Sequence, residues 1–61
     1  MNEIDLKIIQ LICELKTNKQ ISHELNISLP TLNLKIKNIY QHYAVDSRFK
    51  LIYKYKTEGN K

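Results

Sequence analysis

The stretch Thr17–Arg48, TNKQISHELNISLPTLNLKIKNIYQHYAVDSR, decides how this chain folds. Thr17 followed three positions later by Gln20 is a capping-box pattern: the hydroxyl accepts a bond from the third helical residue and the amide returns one to the cap. A helix over Asn18–Leu25 is predicted, with Ile21 and Leu25 as its inward pair at i and i+4. Asn26 stops it, because asparagine tolerates the left-handed conformation in which helices commonly end. Ile27 then plugs the core. Ser28 caps a third helix that has Pro30 at its second position, where a missing N–H costs nothing. Two helices joined by so tight a turn make a helix-turn-helix.

The third helix is predicted over Leu29–Tyr43. Its inward stripe is Leu29, Leu32, Ile36, Ile39, Tyr40 and Tyr43. The outward face carries Asn33, Leu34, Lys37, Asn38 and Gln41, flanked by Lys35 and His42. Amides pair with adenine, lysine with guanine, and an aliphatic side chain touches a thymine methyl, so this set has the chemistry for reading base edges in a major groove. The same spacing also fits a solvated helix face with one isolated exposed leucine.

Upstream, Met1, Ile4, Ile8, Leu11, Ile12 and Leu15 recur at three- and four-residue spacing, which predicts an amphipathic helix over Glu3–Leu15. Asn2 is its candidate cap, Glu3 and Asp5 complement the helix dipole, and Leu6 falls on the far side. Downstream, Ala44 and Val45 form a turn, and Asp46 or Ser47 caps a fourth helix running to about Lys56. That helix has Arg48, Phe49, Ile52 and Tyr55 on one side and Leu51 nearer the other. Apolar residues on more than one side suggest that it packs inward and also meets another surface, such as that of a second copy. The expectation is an all-α, four-helix helix-turn-helix domain over residues 1–56, followed by a polar, frayed tail, Thr57–Lys61.

Sixty-one residues make one domain. A chain of this length buries roughly 60% of its unfolded surface, so its core is marginal and a partner is expected. Cys13 has no second cysteine to pair with, and His23 and His42 do not form a zinc ligand set, so no disulfide, metal or cofactor is expected. The apolar runs fall far short of the ~20 residues of a membrane span, and no signal peptide is recognisable. A soluble, cytoplasmic protein without membrane contact or small-molecule ligand is expected.

Charge is unevenly placed. Up to Pro30, three cations (Lys7, Lys16, Lys19) face four carboxylates (Glu3, Asp5, Glu14, Glu24), a net −1. Beyond it, seven (Lys35, Lys37, Arg48, Lys50, Lys54, Lys56, Lys61) face two (Asp46, Glu58), a net +5. A one-sided basic surface reads as an electrostatic footprint for nucleic acid, with an anionic membrane or an acidic protein as alternatives. Ser22 and His23 are neighbours that point in different directions on a helix, without a carboxylate pair or glycine-rich phosphate loop, so an enzyme is not expected. Cys13 reads as a packed small hydrophobe, and Tyr40, Tyr43, Tyr53 and Tyr55 as core and dimer contacts rather than a base-stacking platform.

The quoted stretch resembles the LuxR/GerE-type DNA-binding domain. Its hallmarks are matched without a gap by Thr17, Asn18, Lys19, Gln20 and Ile21, then Leu25, Asn26, Ile27 and Ser28, then Thr31 and Leu32, then Val45, Ser47 and Arg48. With the first helix included, the resemblance covers about residues 2–55. It implies a domain whose third helix enters the major groove, whose second crosses the backbone and whose fourth forms a homodimer. Carried over by position, Asn33, Leu34 and Lys37 face bases, while Asn18, Lys19, Ser28, Thr31 and Lys35 lie near phosphates. Asn38 and Gln41 join the base-reading set by their place on the outward face. Leu51, Ile52 and Tyr55 are the expected dimer contacts.

The chain departs from the family at Asn33 and Lys35, often lysine and histidine, which bears on the DNA sequence read. Leu15 and Ala44 stand where the family has glycine, which predicts turns of different shape. With no receiver or ligand-binding domain ahead of it, the chain resembles the single-domain GerE kind. Control then falls to abundance, dimerisation or a partner. Two other readings compete: a protein resembling region 4 of sigma factors, acting with RNA polymerase, and a small protein that blocks a larger regulator through the fourth helix.

Overall fold

The computed structural model describes residues 2–59, so Met1, expected on the first stripe, and the last two tail residues lie outside it. Four helices follow in order: α1 (Glu3–Cys13), α2 (Asn18–Leu25), α3 (Leu29–Tyr43) and α4 (Arg48–Gly59). The chain is all-α, as expected.

Each start is written locally. Asn2 Oδ1 accepts from the Asp5 N–H at 3.0 Å to cap α1. At α2 both bonds of the capping box form, Gln20 N–H to Thr17 Oγ1 at 3.1 Å and Thr17 N–H to Gln20 Oε1 at 2.8 Å. Ser28 Oγ accepts from the Thr31 N–H at the start of α3. Of the two candidates at α4, Ser47 is the cap, accepting from the Lys50 N–H at 3.2 Å. Asp46 instead pairs with Lys50 at 3.0 Å, which holds its carboxyl below the ordinary range. The pair is exposed and adds little stability.

The three interhelical turns close alike. Leu15, Asn26 and Ala44 adopt left-handed backbone at φ 65°, 57° and 56°. Each N–H bonds back three residues, and the next residue bonds back five: Lys16 to Leu11 O at 3.1 Å, Ile27 to Ser22 O at 3.0 Å, Val45 to Tyr40 O at 2.9 Å. This is the Schellman closure, which satisfies the last carbonyls of a helix. Leu15 and Ala44 thus hold the left-handed backbone although each carries a Cβ. Leu15 ends α1 two residues early and is 70% exposed rather than on the buried stripe.

The core consists of Ile8, Ile9, Leu11, Ile12, Ile21, Leu32, Ile36, Ile39 and Leu51, with no buried polar side chain among the described residues. Ile9 was not on the predicted stripe. It is buried because α1 packs against α2, α3 and α4 at once and so hides a broader face than a single seam. Ile27 and Val45, which follow two of the left-handed residues, pack against this core, as do Tyr40, Tyr43 and Tyr55. Leu29, assigned inward, is 42% exposed at the first position of α3. Cys13 is half-buried against the core, and burial pushes its thiol up, as befits a packed side chain.

α4 continues past its expected end at Lys56 to Gly59. Polar residues on an exposed side do not stop a helix, and the Thr57 hydroxyl bonds back to Tyr53 O at 3.0 Å.

Candidate nucleic-acid interface

The face of α3 opposite Leu32, Ile36 and Ile39 is open. Asn33, Leu34, Lys37, Asn38 and Gln41 are all exposed, Leu34 at 61%. Spread over nine residues of helix, they form a strip about 12 Å long. None of these side chains is held by a hydrogen bond or an ion pair among the described residues, so amides, ammonium and methyls face outward uncommitted. Lys35 flanks the strip and is half-buried.

The starts of α2 and α3 are alike in charge. α1 opens with Glu3 and Asp5, whereas α2 and α3 have no carboxylate in the first turn. Unneutralised N-termini present free N–H groups and a positive dipole end, the setting in which helices meet phosphate oxygens. Lys19 is exposed in the first turn of α2. At α3 the Ser28 hydroxyl donates to Thr31 Oγ1 at 2.9 Å while accepting from the Thr31 backbone. The Thr31 hydroxyl keeps its own hydrogen to donate.

Asn18 differs from the other expected phosphate residues. It is half-buried, and its Oδ1 accepts from Arg48 Nη2 at 2.5 Å while Arg48 Nη1 donates to Lys16 O at 2.9 Å. Sequence reasoning gave Arg48 no such part. The partners lie 30 and 32 residues apart, and only the matched family position of Arg48 hinted at it.

The residues expected as dimer contacts lie in or against the chain's own core. Leu51 is 0% exposed, a member of the chain's own core, and cannot meet a partner. Ile52 and Tyr55 are half-buried against that core, with the Tyr55 ring edge-on to Tyr43 at 6.5 Å. The open side of α4 carries Phe49, 77% exposed, and Tyr53, 72% exposed, beside a shallow groove of about 400 Å³ that Val45, Lys50, Lys54 and Glu58 also line. Ser22, paired with His23 in the sequence, donates its hydroxyl to Lys19 O at 3.0 Å.

A helix-turn-helix with an uncommitted polar strip on its second helix, and helix starts free of carboxylates on both, is the layout of a major-groove reader. The family model described as bacterial regulatory proteins, LuxR family, matches residues 4–55. The chain belongs to the LuxR family. The match runs from the first turn of α1 through the first two turns of α4, so it takes in all of α2 and α3 and most of α1 and α4 of this LuxR-family domain. Domains of the family are DNA-binding regulators, not enzymes. No curated protein and no solved structure gives a significant match to the chain. No helix in the described part of the LuxR-family domain is long and apolar enough to cross a membrane.

Proposed function

We propose that this chain is a sequence-specific transcriptional regulator that acts in the cytoplasm, binding double-stranded DNA as a homodimer with α3 in the major groove. The reading rests on one observation above the others: the strip Asn33, Leu34, Lys37, Asn38 and Gln41 is exposed and free of internal partners. Asn33, Asn38 and Gln41 offer the paired donor and acceptor that adenine requires, Lys37 a donor for guanine, and Leu34 an apolar contact for a thymine methyl. Lys19, Lys35, Ser28, Thr31 and the N–H groups at the starts of α2 and α3 hold the backbone and fix the register.

The homodimer pairs the open sides of α4. Phe49 and Tyr53 are one turn apart, and the groove beside them has Lys50 and Lys54 toward one end and Glu58 toward the other. Two copies laid antiparallel set each Glu58 against the partner's lysines and cover both pairs of aromatic rings. Fully burying a phenylalanine side chain contributes about 1.5–3 kcal/mol. A small aliphatic core gains from such a surface. Two copies of α3 then enter successive major grooves about one helical turn, ~10 bp, apart on an inverted repeat. RNA polymerase or a larger regulator is the class of partner through which such a dimer would act.

Selection of bound sequences from a random duplex library, with purified protein at near-physiological salt, tests this. Enrichment of an inverted repeat is the expected outcome. If no motif emerges, the reading fails in favour of a small protein that blocks a larger regulator through Phe49 and Tyr53. Enrichment of a promoter-like element only when RNA polymerase is present would favour a factor resembling sigma region 4.

A further inference from the structure

We propose that Arg48 is a positioning residue for DNA binding, tying the start of α4 to the start of α2 through Asn18. The inference rests on the DNA reading above and adds a residue to it.

α1 and α3 pack on each of the other helices, whereas α2 and α4 do not pack directly on one another. Among the described residues, the side-chain hydrogen bonds that span them are those of the half-buried Arg48, which holds Lys16 O and Asn18 Oδ1 in one fork. Lys16 O belongs to the chain entering α2, and Asn18 is the first residue of α2, directly before Lys19. Backbone and side chain are thus gripped at the point where α2 would meet a phosphate.

The grip decides which end of the Asn18 amide is left over. Arginine has donors only, so the amide atom facing it is the oxygen, and the N–H₂ group is the free end. A phosphate accepts from N–H₂ and not from an amide oxygen. Arg48 therefore presets the useful orientation. Charge supports the same assignment. The guanidinium touches the first residue of α2, so it is held against a positive dipole end, where cations are disfavoured. An anion arriving at the start of α2 relieves that opposition.

The test compares the unaltered protein with Asn18→Ala, Arg48→Lys and the double variant. Affinity for a duplex from the library selection is read by fluorescence anisotropy over a range of salt concentrations. Sedimentation and thermal unfolding establish that each variant is a folded dimer. Arg48→Lys keeps the charge but lacks the planar fork that reaches both acceptors. It should weaken binding about three- to tenfold, alike on all duplexes and with an unchanged salt slope. Asn18→Ala should do the same, and the double variant should bind no more weakly than either single one. Losses that multiply in the double variant, or full affinity in Arg48→Lys, overturn the proposal. So does a salt slope made shallower in Arg48→Met by about 0.9 per copy, which would mean that Arg48 itself contacts a phosphate.

Should Arg48→Lys fail to fold, Asn18→Asp decides. It preserves an acceptor for Arg48 and so the fold, but replaces the N–H₂ group with a negative oxygen. Binding should fall about tenfold or more at undiminished thermal stability, and wild-type affinity in this variant also overturns the proposal. Failure of the unaltered protein to bind any duplex would instead overturn the DNA reading, before any variant is compared.

Discussion

Leu15 and Ala44 hold a backbone conformation that costs a residue with a Cβ roughly 1–2 kcal/mol, while asparagine, as at Asn26, tolerates it better. Glycine removes that cost at the expense of some chain entropy, and the exposed Leu15 side chain contributes little packing to lose. Leu15→Gly and Ala44→Gly should each stabilise the domain by about 1 kcal/mol, raising Tm by roughly 4–8 °C in a chain of this size. A Tm unchanged or lowered in both would show that the turns carry no strain. Leu51 responds in the opposite sense. Leu51→Ala should cost about 2–5 kcal/mol, and Leu51→Glu should abolish the cooperative transition seen by circular dichroism, because the side chain belongs to the monomer core. A Leu51→Glu protein that melts normally but sediments as a monomer would restore Leu51 to the dimer surface.

At the scale of the helix, α4 is the element whose two faces have different fates. Phe49→Asp and Tyr53→Asp should convert dimer to monomer in sedimentation while helix content stays as it was. Loss of helicity in step with dissociation would argue that these rings support the fold itself. On α3, Lys37→Ala should change which duplexes are enriched, whereas Lys35→Ala should weaken all of them alike; identical losses of preference in both would remove the division of roles. The bounds of α2 and α3 were legible in the sequence because their signals are local: Thr17 with Gln20, Asn26 at a stop, Ser28 before Pro30. The end of α1 and the inward face of α4 were not. Leu15 continues an apolar period, and only the Schellman bonds through Lys16 turn it outward. A short helix with Phe49, Leu51, Ile52, Tyr53 and Tyr55 has apolar residues nearly all round, so periodicity cannot say which side α1 and α3 will cover. The grip of Arg48 on Asn18 was illegible for another reason: it joins positions 30 residues apart. Exposure of the α3 strip, by contrast, followed directly from the 3.6-residue period.

As a whole the molecule measures 30 × 20 × 19 Å, comparable to one turn of duplex DNA, ~34 Å. Its cations are gathered in the later helices, so association should depend steeply on salt. Each phosphate neutralised lowers the slope of log K against log salt by about 0.9. A side chain present twice in a bound dimer counts twice. Lys19→Ala should therefore make the slope shallower by about 1.8 if the bound species is a dimer and by about 0.9 if it is a monomer, so a titration series reports stoichiometry on the DNA. A slope unmoved by Lys19→Ala would take the start of α2 off the duplex. The aliphatic interior bears on how such a protein can change over generations. Isoleucine, leucine and valine exchange at modest cost where no buried polar partner demands one particular shape. A lineage carrying this core can thus wander far in amino-acid identity while the caps and turn residues hold the architecture, leaving the exposed strip of α3 free to acquire new target sequences without disturbing what lies beneath it.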